Sequence, residues 1–158
     1  MKKLLGLVLV LMTFVVLSAH AASGSTPVKL SLFPPLTVPS NDTVHGLDFA
    51  IISSIIKETQ GVQLAWIYAK SSDKVVGLQY ALVTKTSAMT GAQLSFVGMA
   101  DDVTGLQWGF YNCAKSVKGV QLGFINITEN MQGIQIGLVN NIKNSKLPWM
   151  VIANAKFK

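Results

Sequence analysis

Residues 119–140 read GVQLGFINITENMQGIQIGLVN, so one eight-residue phrase is written twice, fourteen residues apart, with Gly, Gln, Gly and Asn in the same places. Searching outward for the same phrase finds GLDFAIIS at 46, GVQLAWIY at 61, GLQYALVT at 77, GAQLSFVG at 91 and GLQWGFYN at 105. The interval is fourteen from residue 77 onward, and the two earlier intervals are fifteen and sixteen. The extra residues fall near Ile56 and in Ser71-Ser72-Asp73. A unit of this size repeated in tandem means repeated supersecondary structure, each copy stacking on the next.

A helix is the first possibility, since fourteen is two heptads and Val120, Phe124, Ile127 and Met131 are spaced 4, 3 and 4. Interior glycines, each costing about 1 kcal/mol against Ala in a helix, argue against it, as do the many β-branched and aromatic residues. Strand fits better. Val120, Leu122 and Phe124 alternate with Gln121, Gly123 and Ile125, giving one apolar face and one small or polar face. Asp101-Asp102, Lys115-Ser116 and Glu129-Asn130 read as turns closing each strand.

Two all-β architectures satisfy this pattern. One is a β-solenoid with the repeats stacked in parallel, and the other is an antiparallel up-and-down barrel, an architecture also found in outer membranes. The polar positions favour the solenoid. Parallel coils put Gln63, Gln79, Gln93, Gln107, Gln121 and Gln135 about 4.8 Å apart, within reach for amide-to-amide bonds along the stack. Asn112, Asn126 and Asn140 would form a second ladder where the strand ends. An antiparallel meander gives no such reason for repeating them.

The ends differ from the middle. Residues 1–21 combine Lys2 and Lys3, an apolar run from Leu4 to Leu17 and the small-residue site Ala19-His20-Ala21, which is the pattern of a secretory signal peptide cleaved after Ala21. The expected organisation is then an amino-terminal strand and cap over 22–45, tandem repeats over 46–146 and a carboxyl-terminal strand over 147–158. PVKLSLFPPLTVPS supplies the cap, because proline cannot donate to a further strand. Phe157 near the end resembles the insertion signal of outer-membrane barrels, although Lys158 follows it.

LSLFPP followed by tandem G-x-Q-x-G-x-x-N phrases resembles the bacterial surface repeat-containing proteins, over roughly residues 28 to 157. The last three copies match well. Earlier copies depart, with Asp48 in the Gln place, Ala65, Ala81 and Ser95 in the second Gly place, and Tyr68, Thr84 and Gly98 in the Asn place. The resemblance implies an exported, envelope-associated protein of unassigned activity, located in the periplasm, the outer membrane or on the cell surface.

Composition narrows the function classes. The chain has 13 basic and 7 acidic residues; without residues 1–21 the balance is 11 − 7 = +4, and every basic residue is Lys. A nucleic-acid reader without Arg lacks the bidentate donor for bases and phosphates, so no nucleic-acid partner is expected. Cys113, the sole cysteine, excludes an intramolecular disulfide; its alignment with Ala69, Met99 and Ile127 predicts an inward-packed thiol.

No catalytic, metal or cofactor site is expected: beyond residue 21 the sole histidine is His45, with no nucleophile constellation around it, and Asp101-Asp102 lacks the spaced oxygens of a calcium loop. The Asn-x-Thr sites at Asn41 and Asn126 are frequent chance matches and mean little given the bacterial origin that the resemblance implies. Trp66, Tyr68, Tyr80, Trp108, Phe110 and Tyr111 are expected in the core, or else as an aromatic strip for a glycan. The expected role is a structural or interaction module that engages envelope proteins or glycans, with membrane association only in the barrel alternative.

Overall fold

A computed structural model describes residues 24–157, and the expected signal peptide lies outside them. The described chain is all β, wound as a β-solenoid rather than closed into a barrel. Six strands make one sheet system: β1 (Thr26–Phe33), β2 (Leu36–Val38), β3 (Thr43–Ala50), β4 (Ser53–Ala65), β5 (Tyr68–Ile142) and β6 (Trp149–Lys156), in the order β2-β1-β3-β4-β5-β6. β5 alone holds 75 residues. Extended at about 3.3 Å per residue it would reach roughly 250 Å, so it must coil back on itself.

Parallel pairing sets the stack. Gly46 lies beside Gly61, and Asp48 beside Gln63, on β3 and β4; Gly61 lies beside Gly77, and Gln63 beside Gln79, on β4 and β5. The offset between β4 and β5 changes from fifteen to sixteen between Ile56/Ser71 and Glu58/Lys74, which puts an extra residue at Ser72-Asp73.

The glycine that opens each phrase forms the corner. Gly119 has φ +137°, and a Cβ there would lie on the carbonyl oxygen of Gly105 in the coil before, far inside van der Waals contact. An L side chain fits neither the dihedral nor the space. The corner therefore fixes the phase of the strand. Two residues on, Gln121 points inward, while Val120, Leu122 and Phe124 point outward. Between the sheets are two small apolar clusters, one of Val75, Met89, Val103, Ala114, Val117, Met131 and Ile142, the other of Ala50, Ala65, Ala69 and Ala81.

Three expectations need correcting. The aromatics are not core: Trp66, Tyr80, Trp108 and Phe110 are exposed, and Tyr68 and Tyr111 are half-buried. The inward places of their strand are already taken by the glutamine column and the close-packed glycines. Cys113 is half-buried rather than packed inward, because the inward phase after Asn112 passes to Ala114. Asp101-Asp102, Lys115-Ser116 and Glu129-Asn130 are not turns; they lie within β5 on the far sheet, where Asn144 Nδ2 still reaches Asn130 Oδ1 at 2.8 Å across one coil.

Antiparallel strands finish both ends of the parallel stack. β2 runs back along β1, and β6 runs back along the last coil with Gln135 opposite Asn154. Reversing direction at the ends breaks the in-register template that another parallel coil would need.

Candidate functional site

The polar interior comes first, because it positions everything outside it. All six glutamines of the expected ladder are fully buried. Each donates to its predecessor: Gln79 Nε2 to Gln63 Oε1, Gln93 to Gln79 and Gln107 to Gln93 at 2.8 Å, and Gln121 to Gln107 and Gln135 to Gln121 at 2.7 Å. Every amide dipole in the column thus points the same way. At its donor end Gln63 Nε2 reaches Ser54 Oγ at 2.9 Å, and the Ser54 hydroxyl donates to the Asp48 carboxylate. At its acceptor end Gln135 Oε1 has no partner among the described residues.

Asp48 occupies the glutamine place for a physical reason. An anion belongs at the donor end of aligned dipoles, as at a helix N-terminus. Buried Lys29 pairs with it in register across β1 and β3 and donates from Nζ to the Asn41 carbonyl at 2.9 Å. Burial pushes the Asp48 carboxyl above its ordinary value, against the Ser54 bond, the charge of Lys29 and the Gln63 amide. Burial likewise pushes the Lys29 ammonium down, against the pull of Asp48 and Asp42.

The asparagines form a second buried ladder of opposite polarity. Asn112 Nδ2 donates to Asn126 Oδ1 and Asn126 Nδ2 to Asn140 Oδ1, both at 2.9 Å, so donors here point toward the carboxyl end. Their amides fill space that the second glycine leaves. A Cβ on Gly123 would come within 2.5 Å of Asn112 Nδ2, and one on Gly137 within 2.6 Å of Asn126 Nδ2. Coils with Ala or Ser in that place carry no Asn, which accounts for the joint drift of the two positions in the amino half.

Outside this frame lies an apolar sheet face. From Leu47 to Val139 the outward positions between the two corners carry no charged residue. Two rows of side chains run along the solenoid axis, Tyr80, Leu94, Trp108, Leu122 and Ile136 in one, Leu82, Phe96, Phe110, Phe124 and Leu138 in the other. Between them is an open groove of about 870 Å³ floored by Ala81, Ser95, Gly109, Gly123 and Gly137 and closed at one end by Ile152. The strand backbone at the second-glycine places makes the floor, since the Cβ direction there is inward. In the second row, Phe96, Phe110 and Phe124 stack face to face with centroids 4.9 Å apart and ring planes within 10°. The groove could not be foreseen from the strand pattern alone, although the unbroken lack of charge in one phase was its signal.

The opposite sheet carries the charge. Asp101, Lys115, Glu129 and Lys143 follow one another at fourteen-residue steps, with Lys115 Nζ 2.8 Å from Asp101 and Lys143 Nζ 3.0 Å from Glu129. A smaller cavity of about 280 Å³ lies there between Lys70 and Lys85, where the hydroxyls of Ser71, Thr86 and Ser87 are engaged by backbone carbonyls. His45 is exposed, and among the described residues no three His, Cys, Asp or Glu come together as a metal site would require. No family model, curated protein or solved structure matches the chain.

Proposed function

We propose that this chain is a non-catalytic interaction module of the bacterial envelope, exported by its amino-terminal signal, whose working surface is the apolar face of the solenoid. One observation carries this reading. A soluble monomer rarely shows a contiguous apolar patch beyond a few hundred Å², and larger patches mark docking surfaces; here the whole outward strand face is uncharged. The Lys2-Lys3, apolar-run and Ala19-His20-Ala21 pattern supports export, and the tandem phrases resemble those of bacterial surface repeat proteins. The barrel route to a membrane is gone, since the fold is a solenoid. A glycan strip is less well supported, because Phe96, Phe110 and Phe124 spend their ring faces on one another.

The test is expression of the full chain in a bacterium with two membranes, followed by fractionation and amino-terminal sequencing. The expected product begins at Ala22 and sediments with the envelope. The triple variant Leu82→Lys, Phe110→Lys, Leu138→Lys, equally resistant to heat, should move to the soluble exported fraction. Retention of Met1, or unchanged envelope association of the triple variant, would overturn the reading.

A further inference from the structure

We infer that the occupant of the apolar groove is a second copy of this chain, the phenylalanine row of each copy lying in the groove of the other. This rests on the reading of the apolar face as the working surface and names its partner.

Shape supports it first. The row Phe96-Phe110-Phe124 and the groove beside it run in the same direction, along the solenoid axis, and have the same repeat. A ridge with a 4.9 Å rise meets a groove floored by one small residue per coil, so rings of one copy can settle opposite Ser95, Gly109 and Gly123 of another. Because one face carries both ridge and groove, a twofold axis satisfies both at once, as a closed dimer requires.

Area supports it second. Tyr80, Phe96, Trp108, Phe110 and Phe124 are each between 43% and 57% exposed, and Leu82, Ile136 and Leu138 are comparable. At roughly 150 to 250 Å² for a whole aromatic side chain, covering these rows removes on the order of 700 Å² per copy. A specific protein interface of ordinary size takes about 800 Å² from each partner. An open groove would cover only one side of a small ligand, whereas small-molecule sites enclose most of theirs.

Charge decides against a bilayer. Amphipathic elements that lie on anionic membranes set lysines beside the apolar surface. The exposed edge next to the glycine corners here reads Gln60, Val76, Thr90, Thr104, Lys118 and Gln132, with one lysine among six. On the far sheet Lys115 and Lys143 are paired with Asp101 and Glu129. An uncharged, grooved surface matches another uncharged, grooved surface better than it matches headgroups.

The experiment is the molar mass of the purified mature chain in detergent-free buffer, by light scattering and sedimentation velocity, beside flotation with phosphatidylglycerol vesicles. The expected result is twice the chain mass at micromolar concentration with no flotation. Phe110→Lys and Leu82→Lys should each give monomers with wild-type circular dichroism, while Asn130→Lys, on the far sheet, should remain dimeric. In a Cys113→Ser background, Phe110→Cys and Ser87→Cys should differ, the first cross-linking between copies and the second, on the far sheet, not.

A wild-type chain monomeric at about 100 µM would overturn the inference, and so would a monomer that floats with the vesicles, or a dimer indifferent to both Phe110→Lys and Leu82→Lys. If the chain is monomeric yet the triple lysine variant still leaves the envelope, only the second copy fails. If it dimerises through this face but Met1 is retained, only the envelope reading fails.

Discussion

Lys29 and Asp48 lie opposite each other in register on β1 and β3, both buried, at the head of a column of six glutamines that ends at Gln135. The two residues close the head of a chain of aligned amides. Because burial raises the Asp48 carboxyl above 3.8, the folded chain holds a proton there that the unfolded chain releases. The stability from that proton is full below 3.8 and is lost as pH rises through the folded value. Asp48→Asn has no such proton. The wild-type melting temperature minus that of Asp48→Asn should therefore rise as pH is lowered from about 7 to about 4. A difference flat across that window would mean that Asp48 ionises as it does in the unfolded chain.

Within the column, Gln121 both donates to Gln107 and accepts from Gln135. Gln121→Leu leaves Gln107 Oε1 without its donor in a place closed to water, at on the order of 1 to 3 kcal/mol. The variant should fold and melt earlier. Asn130→Ala is the control, since the Asn130–Asn144 bond is exposed, and its change should stay within about 0.5 kcal/mol. Equal melting temperatures for wild type and Gln121→Leu would show that the column contributes nothing.

Gly109 and Asn112 should be energetically coupled, because a Cβ on Gly109 would press on the Ser95 carbonyl and sit 3.0 Å from Asn112 Oδ1. The coil that opens at Gly77 uses Ala81 and Thr84 in those places. Gly109→Ala alone should destabilise, and adding Asn112→Thr should recover part of the loss, with a coupling of about 0.5 to 3 kcal/mol in a double-mutant cycle. Strict additivity in urea unfolding would uncouple the two positions.

Which phase of the strand is core can be read from two single variants. Met131 is buried and Trp66 is 73% exposed outside the groove lining. Met131→Ala should cost about 2 to 5 kcal/mol, and Trp66→Ala, despite the larger side chain, about 0.5 kcal/mol or less. The reverse order by denaturant titration would put the apolar face inside.

The stacking period was legible in the sequence, because Gly, Gln and Asn recur at positions where chance would scatter them. So was the extra residue in Ser71-Ser72-Asp73. The sense of the strand was not. Val120, Leu122 and Phe124 alternate with Gln121 equally well in either orientation, and a shift of one residue exchanges the faces. Only the approach of Gly119 to the Gly105 carbonyl chooses between them, and that contact joins two coils. The charged groups at Asp101, Lys115 and Glu129 read as turns because polar neighbours of their kind favour turns, yet cross-coil pairing keeps them extended. The place of Lys29 is not legible in the sequence, since β1 carries no copy of the phrase that would align it with Asp48.

The reversed strands β2 and β6 meet only the first and last rungs of the stack, and Gly105 through Lys118 contacts coils that present the same backbone above and below. Whole coils can therefore be added without disturbing either end. A chain with that segment inserted once more should grow by about 4.8 Å, carry one further phenylalanine in its ridge and one further small residue in its groove, and keep both terminators unchanged. Two such chains of unequal length would still share a pitch, so span would change in whole steps while the surface pattern stays constant.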